Sequence, residues 1–258
     1  MTFLAAPPQV VGTINAKGLT HLADAPVVGD AADIVEARFD LAIGEVPGEQ
    51  THELPIPAAF FASCLASCAR LERSGTPVLA TLRLVADGGR WTDDAARLPW
   101  LDQALAVTSW ADIELESAIA DQVVRLAHAR GRQVIVSHHD FTGTREVEAL
   151  SALIERARGL GADIVKLATA VDSLEAHDRL IELMRAQRAS PGAPVALVGM
   201  GPIGTPLRSY LPCVGSRLTY GYLDAVAAPG QIHAGDLVRR LIADCPSYAD
   251  HRRRQGRL

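Results

Sequence analysis

Short apolar runs rich in Val, Ile and Leu recur along the chain, separated by longer segments whose apolar residues return every three to four positions. The short runs read as buried parallel strands and the longer segments as amphipathic helices. Strands are predicted near 9–14, 33–40, 77–83, 111–117, 133–139, 163–169, 194–200 and 217–223. Helices are predicted over 57–73, 93–108, 118–130, 144–159, 173–189, 203–212 and 234–244. A weak repeat accompanies them: Ala-Asp-Ile opens strands at Ala32–Ile34, Ala111–Ile113 and Ala162–Ile164. Eight βα units in about 250 residues is the arithmetic of an α/β chain folded as a (β/α)8 TIM barrel. An open doubly wound sheet is the alternative, and no strand is expected to lead into a dinucleotide-binding Gly-x-Gly-x-x-Gly turn. No Pro/Gly/Ser-rich linker interrupts the pattern, so residues 1–258 read as a single domain.

Both faces of a barrel strand should be apolar, and a charge there is costly unless it is paired or stands at the barrel mouth. This chain breaks the rule repeatedly, toward the C-terminal ends of strands. Glu36, Arg38 and Asp40 alternate with Ala37 and Phe39, which puts three charges on one face. Taken alone, that face reads as a solvated edge strand. Arg83 ends the third strand, with Asp87 four residues on in a Gly-Gly loop; an ion pair between them and a functional role read equally well. His138, His139 and Asp140 end the fifth strand, and since adjacent strand residues point to opposite faces, only one of the two histidines is expected in a site.

Lys166 is the strongest single signal. It stands in Ile164-Val165-Lys166-Leu167-Ala168, apolar on both sides, in a chain with only one other lysine, Lys17, among its 25 basic residues. Burial disfavours the ammonium form, and a neutral amine attacks carbonyls to form a Schiff base. A structural pairing with a carboxylate such as Glu36 is the competing reading. Farther on, Gly199-Met200-Gly201-Pro202-Ile203-Gly204 follows the seventh strand, where barrels often bind phosphate through backbone amides. Arg208 lies just beyond, and the turn Ala227-Ala228-Pro229-Gly230-Gln231 carries Gln231 toward the mouth.

Composition narrows the class. The 258 residues are 48% hydrophobic and 21% charged, as in a folded globular chain, and the net charge of −5 argues against a nucleic-acid-binding surface. The basic terminus Arg252–Arg257, within a polar C-terminal tail over 247–258, reads as solvated. No apolar run is long enough to span a bilayer and no secretory signal is visible at MTFLAAPPQV. Four cysteines do not make a disulfide framework in a chain this long, so a reduced, cytoplasmic setting is expected.

These residues together resemble the type I 3-dehydroquinate dehydratases of the shikimate pathway. The resemblance runs through Glu36-Ala37-Arg38-Phe39-Asp40, Thr81-Leu82-Arg83 with Gly88-Gly89, Ser137-His138-His139-Asp140-Phe141, Ala162-Asp163-Ile164-Val165-Lys166, and Met200-Gly201 to Gly204 with Arg208 and Ala228-Pro229-Gly230-Gln231. It implies a cytoplasmic hydro-lyase of aromatic amino acid biosynthesis that converts 3-dehydroquinate to 3-dehydroshikimate. Lys166 would form the Schiff base, His139 would act as general acid/base, and Asp87 would orient it. Arg208 and Gln231 would hold the substrate carboxylate, with Glu36, Arg38 and Arg83 on the ring hydroxyls. No metal or organic cofactor is implied, since the imine is the electron sink. The expected partners are the small-molecule substrate and a second copy of the chain in a homodimer, with no nucleic acid or membrane. Three positions depart from the family pattern: Ala227 replaces a serine in a mobile lid, here 225–231; Asp87 stands for a glutamate; Thr13 stands for a serine. Competing functions are a Schiff-base aldolase acting on a phosphosugar and a non-catalytic barrel that binds a shikimate-type metabolite.

Overall fold

The computed structural model describes residues 6–22, 28–42, 56–188, 190–228 and 230–258. Eight strands appear in chain order: β1 Gln9–Asn15, β2 Ile34–Arg38, β3 Val78–Thr81, β4 Trp110–Glu114, β5 Gln133–Asp140, β6 Ile164–Ala170, β7 Val195–Met200 and β8 Leu218–Tyr222. Ten helices accompany them: α1 Ala16–Leu22, α2 Val28–Ala31, α3 Ala58–Arg73, α4 Leu98–Leu105, α5 Ala120–Ala129, α6 Val147–Gly159, α7 Leu174–Arg188, α8 Leu207–Val214, α9 Ala234–Asp244 and α10 Pro246–Arg254. Every strand pairs in parallel with its sequence neighbour from β1 to β7, and β8 returns to pair with β1. At the remaining seam Arg217 N, just before β8, donates to Val195 O at the start of β7, at 2.8 Å. The result is a nearly closed (β/α)8 TIM barrel, not an open sheet. No helix among the described residues is long and apolar enough to cross a membrane.

The predicted elements differ from the observed ones chiefly at their ends. The helix expected from residue 203 begins at Leu207 because the chain first turns back on itself: Thr205 N donates to Gly201 O, and Gly204 lies so close to Gly199 that a Cβ would stand 2.6 Å from the Gly199 carbonyl carbon. The helix expected from 93 starts as a 3-10 turn, Ala95–Arg97, and becomes α-helical at Leu98 with Pro99 in its first turn. Residue 189, the last of the helix expected over 173–189, lies outside the described residues. Helices α1, α2 and α10 had no predicted counterpart; α1 is short and carries Gly18, α2 is a four-residue turn, and α10 is strongly basic.

Alternation along the strands sorts the barrel interior into tiers. The lowest inward positions are apolar: Val11, Leu79, Ile135 and Ala196 from odd strands, Ile34, Trp110, Ile164 and Leu218 from even ones. Two residues further along, the same inward face turns polar on every strand but β7. Odd strands give Thr13, Thr81, Ser137 and Val198; even strands give Glu36, Asp112, Lys166 and Tyr220. The outer faces carry the aliphatic residues that pack under the helices. The solvated-edge reading of Glu36, Arg38 and Asp40 is therefore overturned. β2 lies between β1 and β3, and all three side chains are buried, with Arg38 held by Asp40 through two bonds of 2.8 and 2.7 Å.

The closed end has its own polar fastening. Asp33, just before β2, accepts from Val10 N and from Tyr248 Oη, each at 2.8 Å, and from Arg252 at 2.9 Å. Asp163, just before β6, accepts from Val134 N at 2.8 Å in the same way. Two of the three Ala-Asp-Ile copies thus tie a strand start to the preceding strand. The third is shifted three residues deeper, which also turns the side chain to the other face, so that Asp112 lies inside the barrel. The reading of Arg252 as part of a solvated tail is corrected here: Arg252 is 1% exposed and also donates to Gly29 O and Asp30 O. Its positive charge goes to the buried Asp33 carboxylate at 2.9 Å, which Arg257 also approaches, at 3.9 Å.

Removing one member of a buried pair strands the other, at roughly 3–5 kcal/mol. Arg252→Ala should lower unfolding stability in urea by that amount. Tyr248→Phe, which removes one hydrogen bond to the same carboxylate, should cost about 1–3 kcal/mol.

Candidate active site

At the C-terminal ends of the strands a cavity of about 220 Å³ opens into the barrel. It is lined by all eight residues singled out from the sequence: Lys166, His139, Asp87, Glu36, Arg38, Arg83, Arg208 and Gln231. They come from four strands or strand ends, β2, β3, β5 and β6, and from the loops after β3 and β8, with Arg208 in α8, so only closure of the barrel makes them neighbours.

The floor is a linked charge network. Arg83 reaches Asp112 Oδ2 at 3.0 Å, Glu114 Oε1 at 3.1 Å and Ser137 Oγ at 2.8 Å. Lys166 Nζ stands 3.4 Å from the same Asp112 oxygen, and Ser137 Oγ donates to the other at 2.6 Å. Glu114 is held from behind by fully buried Arg97 at 2.6 Å. The sequence readings that paired Arg83 with Asp87 and Lys166 with Glu36 are thereby replaced: Asp112 serves both cations. Glu36 instead accepts from Thr13 Oγ1 at 2.8 Å and Thr81 Oγ1 at 3.0 Å. Asp112, Glu114, Ser137 and Arg97 had not been singled out. The signal for Asp112 and Glu114 was present, since two charges alternate along β4 as they do along β2.

Burial and these charges set the protonation states. Burial pushes the Lys166 amine below the ordinary lysine range, with Arg83 adding to the effect and Asp112 opposing it. Asp112 is held well below the usual carboxylate range, because Arg83 and Lys166 outweigh its own burial. His139 is pushed well below its ordinary value by burial and by the Arg83 and Lys166 charges, so it stands as a neutral imidazole. Asp87 is pushed up to about 6 by burial and by Glu114. His139 Nδ1 lies 3.4 Å from Asp87 Oδ1, a contact without hydrogen-bond alignment, and its ring stacks near Phe141 at a centroid distance of 6.3 Å. His138 projects to the other side of β5, where Nδ1 is 3.1 Å from Glu116. The site therefore holds a buried amine with depressed basicity and a neutral base beside it, which is equipment for covalent carbonyl chemistry with proton transfer.

One wall carries a buried arginine and a glutamine. Arg208 is 2% exposed, donates to Tyr220 O at 3.0 Å, and is lowered to about 10 by burial. Gln231 Nε2 reaches Thr13 Oγ1 at 3.3 Å, while its Oε1 accepts from Ala227 N at 2.9 Å. Gly230 adopts φ +71, and a Cβ there would stand 2.6 Å from Thr205 Oγ1, so only glycine fits the turn. Pro229 lies outside the described residues. The expectation that no strand leads into Gly-x-Gly-x-x-Gly also needs correction, because residues 199–204 have that spacing, starting in the last two residues of β7. Their glycines are accounted for by the approach of Gly204 to Gly199 and by φ +82 at Gly201. Among the described residues no three His, Cys, Asp or Glu side chains converge as metal ligands would.

The family model described as Type I 3-dehydroquinase matches residues 10–243. The 3-dehydroquinate dehydratase of Methanococcoides burtonii is 30% identical over 239 residues, covering 91% of this chain and 93% of that protein. That of Methanocella arvoryzae is 30% identical over 237 residues, covering 91% and 96%. In fold, the chain is similar to the crystal structure of 3-dehydroquinate dehydratase from Geobacillus kaustophilus, with a TM-score of 0.78 at 23% identity over 92% of this chain and 90% of that one.

Asp112→Ala leaves two buried cations without their shared counterion, so a loss of roughly 3–5 kcal/mol in urea unfolding is expected. Asp112→Asn keeps a partner for Ser137 and should lose less.

Proposed function

The chain belongs to the type I 3-dehydroquinase family of hydro-lyases, and from that premise we propose that it dehydrates 3-dehydroquinate to 3-dehydroshikimate through an imine on Lys166. The single observation that carries the mechanism is Lys166 itself, a buried amine of lowered basicity at the floor of a cavity otherwise rich in cations. Lys166 Nζ attacks the ring ketone carbon while the carbonyl oxygen takes up a proton. The resulting carbinolamine loses water to give a protonated imine, with Glu36 assisting the proton movements. The imine withdraws electrons and acidifies the neighbouring C–H.

His139 removes that proton as a neutral base. The C–H electrons enter the imine to form an enamine. Their return expels the ring hydroxyl, which His139 protonates, so one water leaves overall. Hydrolysis of the imine then frees the enone product and the amine. Asp87 accepts from His139 Nδ1 once ligand draws the 3.4 Å contact into line. Arg208 and Gln231 hold the substrate carboxylate, and Arg38, Arg83 and Glu36 hold ring hydroxyls and set the field. The 225–231 segment covers the cavity as a lid, supported by the Ala227–Gln231 bond and by Gly230 O accepting from Thr205 at 3.2 Å. Four free thiols fit a cytoplasmic site of action.

Dehydroquinate with borohydride should leave a reduced covalent adduct on Lys166, read by mass spectrometry and absent in Lys166→Ala. An active enzyme with unmodified Lys166 would sink the imine mechanism. His139→Ala should still form the adduct while enone formation, followed by its ultraviolet absorbance, drops by roughly 10²–10⁴. Because Asp87 titrates at about 6, it is an acceptor for the imidazole N–H only above that pH. Turnover should therefore fall as pH drops through about 6. Asp87→Asn should be slower, by roughly tenfold, and should lack that limb in a pH–kcat profile.

A further inference from the structure

Tyr220 is unused in the scheme above, yet it lines the same cavity. It projects from β8 in the tier that also contains Glu36, Asp112 and Lys166. Lys166 Nζ stands 4.5 Å from the centroid of its ring. The residue is 5% exposed, and its hydroxyl is buried with no hydrogen-bond partner among the described residues. An unmet buried hydroxyl is costly, at roughly 1–3 kcal/mol, and a phenylalanine of the same shape would avoid that cost. Burial and the nearby Glu36 and Asp112 carboxylates keep the phenol well above its ordinary pKa, so it remains an O–H donor. What it lacks is an acceptor.

We propose that Tyr220 is a positioning residue for the Lys166 nitrogen, its ring face favouring the cationic form of that nitrogen and its hydroxyl donating to an oxygen of the bound ring substrate. The ring part follows from the quadrupole of the aromatic face, which attracts a cation within about 6 Å and does so most strongly where water is excluded. Before reaction the cation is the ammonium; after condensation it is the protonated imine, whose positive charge makes it an electron sink. The other titratable or charged groups bearing on Lys166 are Asp112 from β4, Glu36 and Arg38 from β2, Arg83 from the end of β3 and the neutral His139 from β5. Of these, Arg83 and Arg38 oppose a cation at Nζ, and Asp112 is shared with Arg83. A neutral ring that stabilises positive charge without a formal charge of its own complements this arrangement, because it does not alter the Arg83–Asp112 pair.

The hydroxyl contribution rests on the dehydratase reading, whereas the ring contribution is measurable without substrate, so the two fail separately. Two variants divide the side chain: Tyr220→Phe keeps the ring, and Tyr220→Leu removes it. In ligand-free protein, the pH dependence of Lys166 carbamylation by cyanate, read by mass spectrometry, reports the amine's titration. Tyr220→Phe should leave that profile in place, and Tyr220→Leu should move it to lower pH. With dehydroquinate, Tyr220→Phe should reduce kcat/KM about tenfold, mainly through a higher KM, while borohydride trapping on Lys166 continues. Circular dichroism and urea midpoints of both variants establish that they fold. An unmoved carbamylation profile in Tyr220→Leu would overturn the ring's role. Wild-type kcat/KM in Tyr220→Phe, or a loss confined to kcat, would overturn the hydroxyl's contact with substrate. If wild type itself gives no adduct, the imine reading fails while the carbamylation result still stands on its own.

Discussion

Asp112 is one carboxylate held between two cations inside the barrel, and the chemistry of the upper cavity depends on it. Arg83, always charged, sits at 3.0 Å and takes the larger share of its field; Lys166 sits at 3.4 Å from the same oxygen. A lysine with a private carboxylate would remain an ammonium and would be inert toward a ketone. A lysine with no carboxylate would be difficult to bury at all while charged. Sharing one anion between an arginine and a lysine leaves the amine between these limits, buried yet with its basicity lowered. Burial, reinforced by the same positive charge, holds His139 neutral, so one buried and cationic setting prepares both the nucleophile and the base.

The supporting residues extend that logic outward. Glu114 gives Arg83 a second anion and is itself fixed by buried Arg97, which also bonds Leu82 O at 2.7 Å and so anchors the end of β3. Glu36 accepts from two threonines on neighbouring strands, which orients it without consuming either cation. At the opposite end, Asp33 does structural work with the same ingredients: a buried carboxylate, an arginine and a hydroxyl. The contrast lies in the bonds. Asp33 is fully engaged by a backbone amide, Tyr248 and Arg252, whereas the upper tier keeps an amine and a phenol whose bonding is incomplete. Saturated polar networks rigidify a fold, and unsaturated ones are where a ligand can bind.

Much of the fold was legible in the chain because a barrel strand buried on both faces writes itself as an unbroken aliphatic run. Its limits show where local pattern was not the deciding force. The start of α8 depended on Gly204 meeting Gly199, a contact between backbone segments that periodicity does not record. Helix α10 depended on a buried carboxylate 219 residues away in sequence, so its arginines looked like a solvated tail. The Ala-Asp-Ile repeat looked uniform, yet two copies sit at strand starts and one sits three residues farther into its strand. That shift moves an aspartate from the fastening at the base to the centre of the site.

The sequence by itself determined which residues were chemically out of place: a lysine in an aliphatic strand, alternating charges on β2, histidines and arginines at strand ends. Those are one-dimensional facts, because a single strand's two-residue period already assigns each side chain to a face. Only the tertiary structure decided who pairs with whom. Partners such as Arg83 and Asp112, Lys166 and Tyr220, or Thr13 and Gln231 lie on different strands and loops, and their meeting depends on the register and closure of the whole barrel. Hydrogen bonds and contact ion pairs need atoms within about 3–4 Å, so a pairing that spans 29 or 218 residues of chain exists only once the barrel has closed.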